Sequence, residues 1–405
     1  MVASLFCFIL SLFRSHDMVS FRNVTLTSRN MATKPFAIES GMCLRLLRFD
    51  KIHNRIIWNV CFFVCYFFNG SIFYMPGMCY SLPHTKAKPA NKDDISKLTP
   101  LVNSSNVLLD DKGEVRAYGQ AGMSLKLSKN GDELILGAPG TSEGIGKSLG
   151  RVVTKNLMSY SVDSGNFFSK QSISYVAGAP RAADYRGKVL IFDFTRPKNE
   201  VVQILGHQVG EYFGSTLAAI DINGDGFTDL IVGAPLYTKS LSYDQGRVYV
   251  YMNKKQEAFP FLSGDSKTGA RFGSSISAIG DINNDGFTDF AIGAPYENDG
   301  MGAVYIYLGT ENGLNSKYTQ KIVMEDMRGF GISISSGVDV DNNTCQDLAI
   351  GAYESGKVVL LRSHPSIEVT STIIAKPSEL SLNSTNFIAK ICHNFTGATN
   401  FAIGI

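Results

Sequence analysis

The fifteen residues DINGDGFTDLIVGAP, at 221–235, decide how this chain reads. They recur as DINNDGFTDFAIGAP at 281–295 and as DVDNNTCQDLAIGAY at 339–353. Each copy opens on a nine-residue stretch rich in Asp and Asn. Each then runs into a short apolar segment that ends on Gly-Ala. The first part has the composition of a tight turn with converging oxygen side chains, and the second that of a buried strand.

Working outward, the Gly-Ala-Pro ending also occurs without the acidic stretch, at Gly137-Ala138-Pro139 and Gly178-Ala179-Pro180. With Gly233, Gly293 and the degenerate Gly351-Ala352-Tyr353, the copies fall at intervals of 41, 55, 60 and 58 residues. Repetition on this scale marks a solenoid or a propeller. Phe213-Gly214, Phe272-Gly273 and Phe330-Gly331 open the three loop-bearing copies. After each Gly-Ala comes a further strand, such as GRVYVY at 246–251 or GAVYIY at 302–307, with a period of two. Three or four short strands per unit cannot bury both faces alone, whereas stacking the units radially covers faces and edges together. The glycines suit places where neighbouring units approach closely. The expected fold is therefore an all-β propeller, since a β-sandwich does not explain the regular interval.

In all three loops, positions 1, 3, 5 and 9 carry oxygen side chains. These are Asp221, Asn223, Asp225 and Asp229; Asp281, Asn283, Asp285 and Asp289; and Asp339, Asp341, Asn343 and Asp347. Position 7, occupied by Phe227, Phe287 and Cys345, offers its backbone carbonyl. Hard oxygen donors from one short loop suit calcium, and the absence of a recurring histidine or cysteine ligand argues against zinc or copper. Gly226 and Gly286 permit the sharp turn at position 6, where the third loop has Thr344. The spacing starts like an EF-hand but lacks Glu at position 12, and strands flank the loop instead of helices. Three calcium sites are expected. Their role is structural, because the clustered carboxylates repel one another until a cation binds. His207 has no acid or nucleophile partner in the pattern, so no catalytic residue and no organic cofactor are expected.

The chain has 405 residues and a formal net charge of +2, with its basic residues scattered, so nucleic acid is not an expected partner. Seven cysteines are too few for a disulfide scaffold at this length. Of the Asn-x-Ser/Thr sequons, Asn103, Asn383 and Asn394 are the candidate glycosylation sites, in keeping with an extracellular chain. Leu5 to Phe13 has the length of a signal-peptide core. Ile56 to Met75 reaches the length of a membrane span, but Asn59, Asn69, Gly70 and Ser71 interrupt it, which leaves a buried strand pair as an equal reading. Residues 1–75 are left without a domain assignment, with a signal segment or misjoined sequence as the readings open for them.

Together the three loops, the Phe-Gly openings and the Gly-Ala-Pro closings resemble the seven-bladed FG-GAP propeller at the head of integrin α subunits. Gln120–Ser124 with Leu134–Pro139 resembles blade three. Met158–Val162 with Tyr175–Arg181 resembles blade four, and the loop-bearing copies resemble blades five to seven. Gly77–Tyr80 resembles the last strand of blade two, while blade one and most of blade two have no counterpart in residues 1–75. The resemblance implies a propeller over 76–362 and the start of an Ig-like thigh domain over 363–405. No von Willebrand-type domain is inserted between the matches to blades three and four.

It also implies pairing with an integrin β subunit and binding of an extracellular matrix protein at the cell membrane, with the membrane anchor outside this sequence. Among ligands, Val162–Gly165 running towards Tyr175 favours laminin, and Arg271–Ser274 keeps an RGD-containing ligand open. In the family, aromatic residues at the centre of the upper face hold a cationic side chain of the β subunit. Tyr212 and Phe272 match that role, with Phe330 a further candidate, and cation–π attraction is its physical basis. The rival readings are a soluble adhesive or lectin-like propeller and the accessory propeller of an extracellular enzyme.

Overall fold

A computed structural model describes residues 43–52, 55–63, 66–68, 72–74, 78–84, 96–98, 124–127, 134–138, 154–157, 160–193, 201–239, 242–253, 261–335, 337–343, 345–363, 367–376 and 388–397. The segment Leu5–Phe13 and the sequons at Asn103 and Asn383 lie outside them.

Strands β1 (Cys43–Ile52), β2 (Arg55–Phe63), β3 (Tyr66–Phe68), β4 (Ile72–Tyr74), β5 (Met78–His84) and β6 (Ser96–Leu98) begin the described chain. β1, β2, β5 and β6 form one four-stranded antiparallel sheet in chain order, with β3 and β4 as a separate hairpin. The run from Ile56 to Met75 is thus three strands, and among the described residues no helix is long and apolar enough to cross a membrane. The sheet thus joins β1 and β2 to β5, which holds part of the stretch matched to blade two.

The next sheet joins β7 (Ser124–Leu127), β8 (Leu134–Gly137) and β9 (Thr154–Leu157), and its last pair is parallel. Four regular antiparallel sheets follow. The fourth-blade match holds β10 (Ser161–Gly165), β11 (Ser174–Ala179), β12 (Lys188–Phe192) and β13 (Val202–Leu205). The first loop-bearing copy holds β14 (Thr216–Ile220), β15 (Asp229–Ala234) and β16 (Arg247–Tyr251). The second holds β17 (Ser275–Gly280), β18 (Asp289–Ala294) and β19 (Ala303–Tyr307), a small β20–β21 hairpin (Gly309–Thr310, Gly313–Leu314), and β22 (Gln320–Ile322), which completes the sheet. The third holds β23 (Phe330–Ile334), β24 (Leu348–Ala352) and β25 (Lys357–Leu361). A hairpin of β26 (Ile367–Lys376) and β27 (Ile388–Gly397) ends the described chain, with Asn394 opposite Thr370.

The first strands of successive sheets lie side by side: β7 beside β10, β10 beside β14, β14 beside β17, and β17 beside β23. Sheets sharing such an axis make a β-propeller. Its central strands are buried on both faces, which is why they read as unbroken apolar runs. In β15, Leu230 and Val232 pack towards β11 and β12, while Ile231 joins a core with Phe290 and Ile292 of β18. In β18, Ala291 turns the other way, towards Ile350 of β24.

The motif glycines sit where the blades meet. A Cβ at Gly178 would lie 2.0 Å from the Gly214 carbonyl oxygen, one at Gly233 2.5 Å from that of Gly273, and one at Gly293 2.0 Å from that of Gly331. The same three carbonyls accept hydroxyl hydrogen bonds from the first strand of the preceding blade: Ser161 at 2.7 Å, Thr216 at 2.7 Å and Ser275 at 2.6 Å. Each seam is completed by a parallel bridge between a glycine and the Phe of the next opening: Gly187 to Phe213, Gly246 to Phe272, and Gly302 to Phe330.

Because the obstructing atom at Gly293 is backbone, Gly293→Ala should cost about 1–3 kcal/mol or more. Ser275→Ala, which leaves one carbonyl short of a donor, should cost about 1 kcal/mol. Denaturant melts of both variants check the order, and an Ala at 293 tolerated as well as one at 275 contradicts this account of the seam.

Candidate metal loops

Each oxygen-rich stretch connects the first strand of a blade to the second, so all three sit at the same edge of the propeller. They share a backbone scaffold. The position 9 aspartate closes the loop with both carboxylate oxygens. Asp229 accepts from Ile222 N at 3.0 Å and Asn253 N at 2.7 Å, and Asp289 accepts from Ile282 N at 2.8 Å and Gly309 N at 2.9 Å. Asp347 accepts from Val340 N at 2.8 Å and Ser363 N at 2.9 Å. This residue thereby ties position 2 to the chain leaving the third strand.

Position 5 turns back on position 7: Asp225, Asp285 and Asn343 accept from the backbone N–H of Phe227, Phe287 and Cys345 at 2.8, 3.0 and 2.8 Å. Position 1 accepts from N–H groups across the turn, Asp221 from Gly226 at 2.9 Å, Asp281 from Gly286 at 2.7 Å and Asp339 from Asn343 at 3.1 Å. Two positions carry positive φ. Position 6 is one, at Gly226 (82°) and Gly286 (93°), and Thr344 lies outside the described residues. Position 4 is the other, at Gly224 (69°), Asn284 (60°) and Asn342 (60°), residue types that tolerate the left-handed region. The sequence reading missed position 4, although its Gly, Asn, Asn series was the signal.

The donor sets fit a divalent cation. In the third loop, carboxylate oxygens of Asp339, Asp341 and Asp347 lie within 4.8 Å of one another. In the first two, Asp221 Oδ1, Asn223 Oδ1 and Asn283 Oδ1 are buried acceptors without a hydrogen-bond partner. Oxygens held this way are costly unless something positive meets them. Burial pushes the Asp229 carboxyl up to about 6, with Asp225 and Asp221 adding like charge. Asp289 rises to about 6 in the same way, by burial and then by Asp285 and Asp281.

The proposed partner-facing aromatics are arranged differently from the expectation. Phe272 and Phe330 are 1% and 0% exposed. Phe272 packs edge-on against Tyr305 at 5.3 Å, so both phenylalanines, like Phe213, are seam and core residues. Tyr212 is half-buried, with φ 62° and its ring edge-on to Tyr160 at 5.5 Å. Its counterparts are Arg271 (φ 53°) and Gly329 (φ 69°), each the residue before the motif Phe, and Phe272 is not one of them.

These residues lie at the propeller edge opposite the loops. A cleft of about 820 Å³ opens there, lined among others by Tyr243, Asp244, Lys267, Arg271, Tyr296 and Arg328. Arg271 pairs with Asp244 at 3.0 Å and lies 4.9 Å from the centre of the Tyr296 ring. Among the described residues Cys345 and Cys392 form no disulfide, and Cys345 serves its loop through the backbone.

The FG-GAP repeat family matches residues 213–251 and 272–307. Integrin alpha-4 of Xenopus laevis is 35% identical over 357 residues, 79% of this chain and 33% of that protein. Integrin alpha-PS5 of Drosophila melanogaster is 32% identical over 391 residues, 83% of this chain and 38% of that protein. Integrin alpha-8 of Gallus gallus is 34% identical over 307 residues, 65% of this chain and 29% of that protein. The chain spans about a third of the length of these relatives.

The raised carboxyls fix a pH signature. Asp229 and Asp289 bind a proton more tightly folded than unfolded, where the value is 3.8. Without metal, their contribution to stability is complete below that value and is lost as pH rises through about 6. With calcium the trend should reverse, because the ion needs the ionised carboxylates. Thermal melts between about pH 4 and 7, in chelator and in excess calcium, should therefore converge at the acid end; parallel curves contradict the assignment.

Proposed function

We propose that this chain, an FG-GAP β-propeller of the integrin α-subunit family, forms the calcium-stabilised head of a cell-adhesion receptor. It pairs with an integrin β subunit and binds an extracellular matrix protein. The similarity to integrin α subunits over up to four fifths of the chain carries this reading. Those relatives are adhesion receptors without catalytic chemistry, at the cell membrane with an extracellular portion.

Calcium at three sites is supported by the recurring scaffold and by the unpaired buried oxygens. The ions would neutralise carboxylates at one edge and couple their binding energy to folding. That leaves the opposite edge, with Tyr212 and the cleft, for protein contact. We assign residues 76–362 to the propeller and 363–405 to the start of an Ig-like thigh domain, and take the subunit to be of the type without an inserted von Willebrand-type domain. Laminin is the favoured ligand and an RGD-containing protein the second.

Of the three candidate aromatics, Tyr212 retains the partner-facing role, since it is half-buried at the edge opposite the loops, where an aromatic ring suits a partner's Lys or Arg. Tyr212→Ala should reduce recovery of a co-expressed β subunit severalfold while leaving calcium stabilisation intact. The test is co-expression of a full-length α chain with candidate β subunits, followed by pull-down and by binding to laminin and to an RGD peptide. Equal recovery removes the Tyr212 assignment. Strong matrix binding by the α chain alone removes the pairing requirement.

A further inference from the structure

We propose that Lys170 is a built-in counter-cation for the first metal loop, residues 221–229, holding it closed without calcium and weakening calcium binding there. The inference rests on reading that loop as a calcium site. Residues 166–173 connect β10 to β11, the position that bears a metal loop in the next three blades, yet they contain no Asp or Glu. This connection supplies an ammonium group instead. Lys170 Nζ donates to the Asp225 carbonyl and lies 5.1 Å from the centre of the Phe227 ring. The fit is close enough that a Cβ at Gly226 would lie 2.8 Å from Nζ.

The lysine is delivered by a fixed segment. Asn166 N donates to Thr228 Oγ1 at 2.8 Å, and Thr228 N returns a bond to Asn166 O at 3.1 Å. Asn166 Nδ2 also holds the carbonyls of Lys170 and Ser172, both at 3.1 Å. Thus two strands of contact join the metal-free connection to positions 5 to 8 of the loop. The second loop has a different neighbour. Its Phe287 ring faces Gly224, where a Cβ would lie 3.5 Å away, and glycine brings no charge.

The first loop gathers Asp221, Asp225 and Asp229, so an adjacent cation relieves their mutual repulsion while the site is empty. Once a doubly charged ion binds, the same ammonium opposes it. At a solvent-exposed separation of several ångströms this opposition amounts to about three- to tenfold in affinity. Lys170 therefore trades calcium affinity at this site for a loop that keeps its shape when calcium is scarce.

The test uses the full chain with Lys170→Met and Lys170→Arg, each alone and combined with Asp225→Ala. Calcium binding is read by titration calorimetry and stability by melting in chelator. Lys170→Met should tighten one calcium site about three- to tenfold and lower the melting temperature in chelator by about a few degrees. Lys170→Arg should behave as the native chain, and the affinity gain should vanish in the Asp225→Ala background. Unchanged calcium affinity in Lys170→Met overturns the proposal whether or not stability falls, because a packing contact alone would do the latter. If the native chain and Asp225→Ala bind the same number of calcium ions, the loop is not a calcium site and both readings fall.

Discussion

The structure depends on how closely one blade's central strand approaches the opening of the next. A motif glycine meets a backbone carbonyl with no room for a side chain, and that carbonyl is then claimed by a Ser or Thr hydroxyl from the adjacent first strand. Neither contact is strong alone. Repeated from seam to seam, they fix the spacing at which the two-faced apolar strands interdigitate, and a larger spacing would leave voids along every core. Phe213, Phe272 and Phe330 fill the seams from the inside, which explains both their burial and their invariant place before the glycine.

Radial packing also sorts the two edges of the propeller by chemistry. Every connection from first to second strand falls on one edge, so repeating an acidic loop in that position concentrates carboxylates there. The position 9 aspartate shows how such a loop survives: it is buried, but its oxygens are met by two backbone N–H groups in each copy. Asp221 Oδ1 and the position 3 amide oxygens of Asn223 and Asn283 are buried without such a donor, which suits them to meet a cation. The other edge carries paired charges and half-buried aromatic rings, a surface suited to protein contact.

Much of this was legible in the residues. The interval between Gly-Ala-Pro copies gave the blades, and the in-phase Asp and Asn positions gave the loops, because each follows from local spacing. Contacts between blades were less legible. Tyr212 and Phe272 are both aromatics at a Phe-Gly opening, yet Phe272 is the motif Phe itself and Tyr212 the positive-φ residue before it. The aligned openings place Phe272 with the buried Phe213, whereas the burial that follows from that position appears only in the packed seam. Lys170 was invisible for a similar reason: it lies 55 residues before the carbonyl it meets. The strands of residues 43–74 lack the repeat's motifs, so only their pairing shows that β1 and β2 join β5 and β6 in one sheet.

The proposal that this propeller is built around bound calcium can be tested on the ions themselves. Native mass spectrometry of the full chain, purified in calcium and desalted gently, counts the ions directly. Three calcium ions per folded chain are expected, with one lost for each loop whose position 1 aspartate is replaced by alanine. A folded chain that carries none, or whose count ignores those replacements, would contradict it.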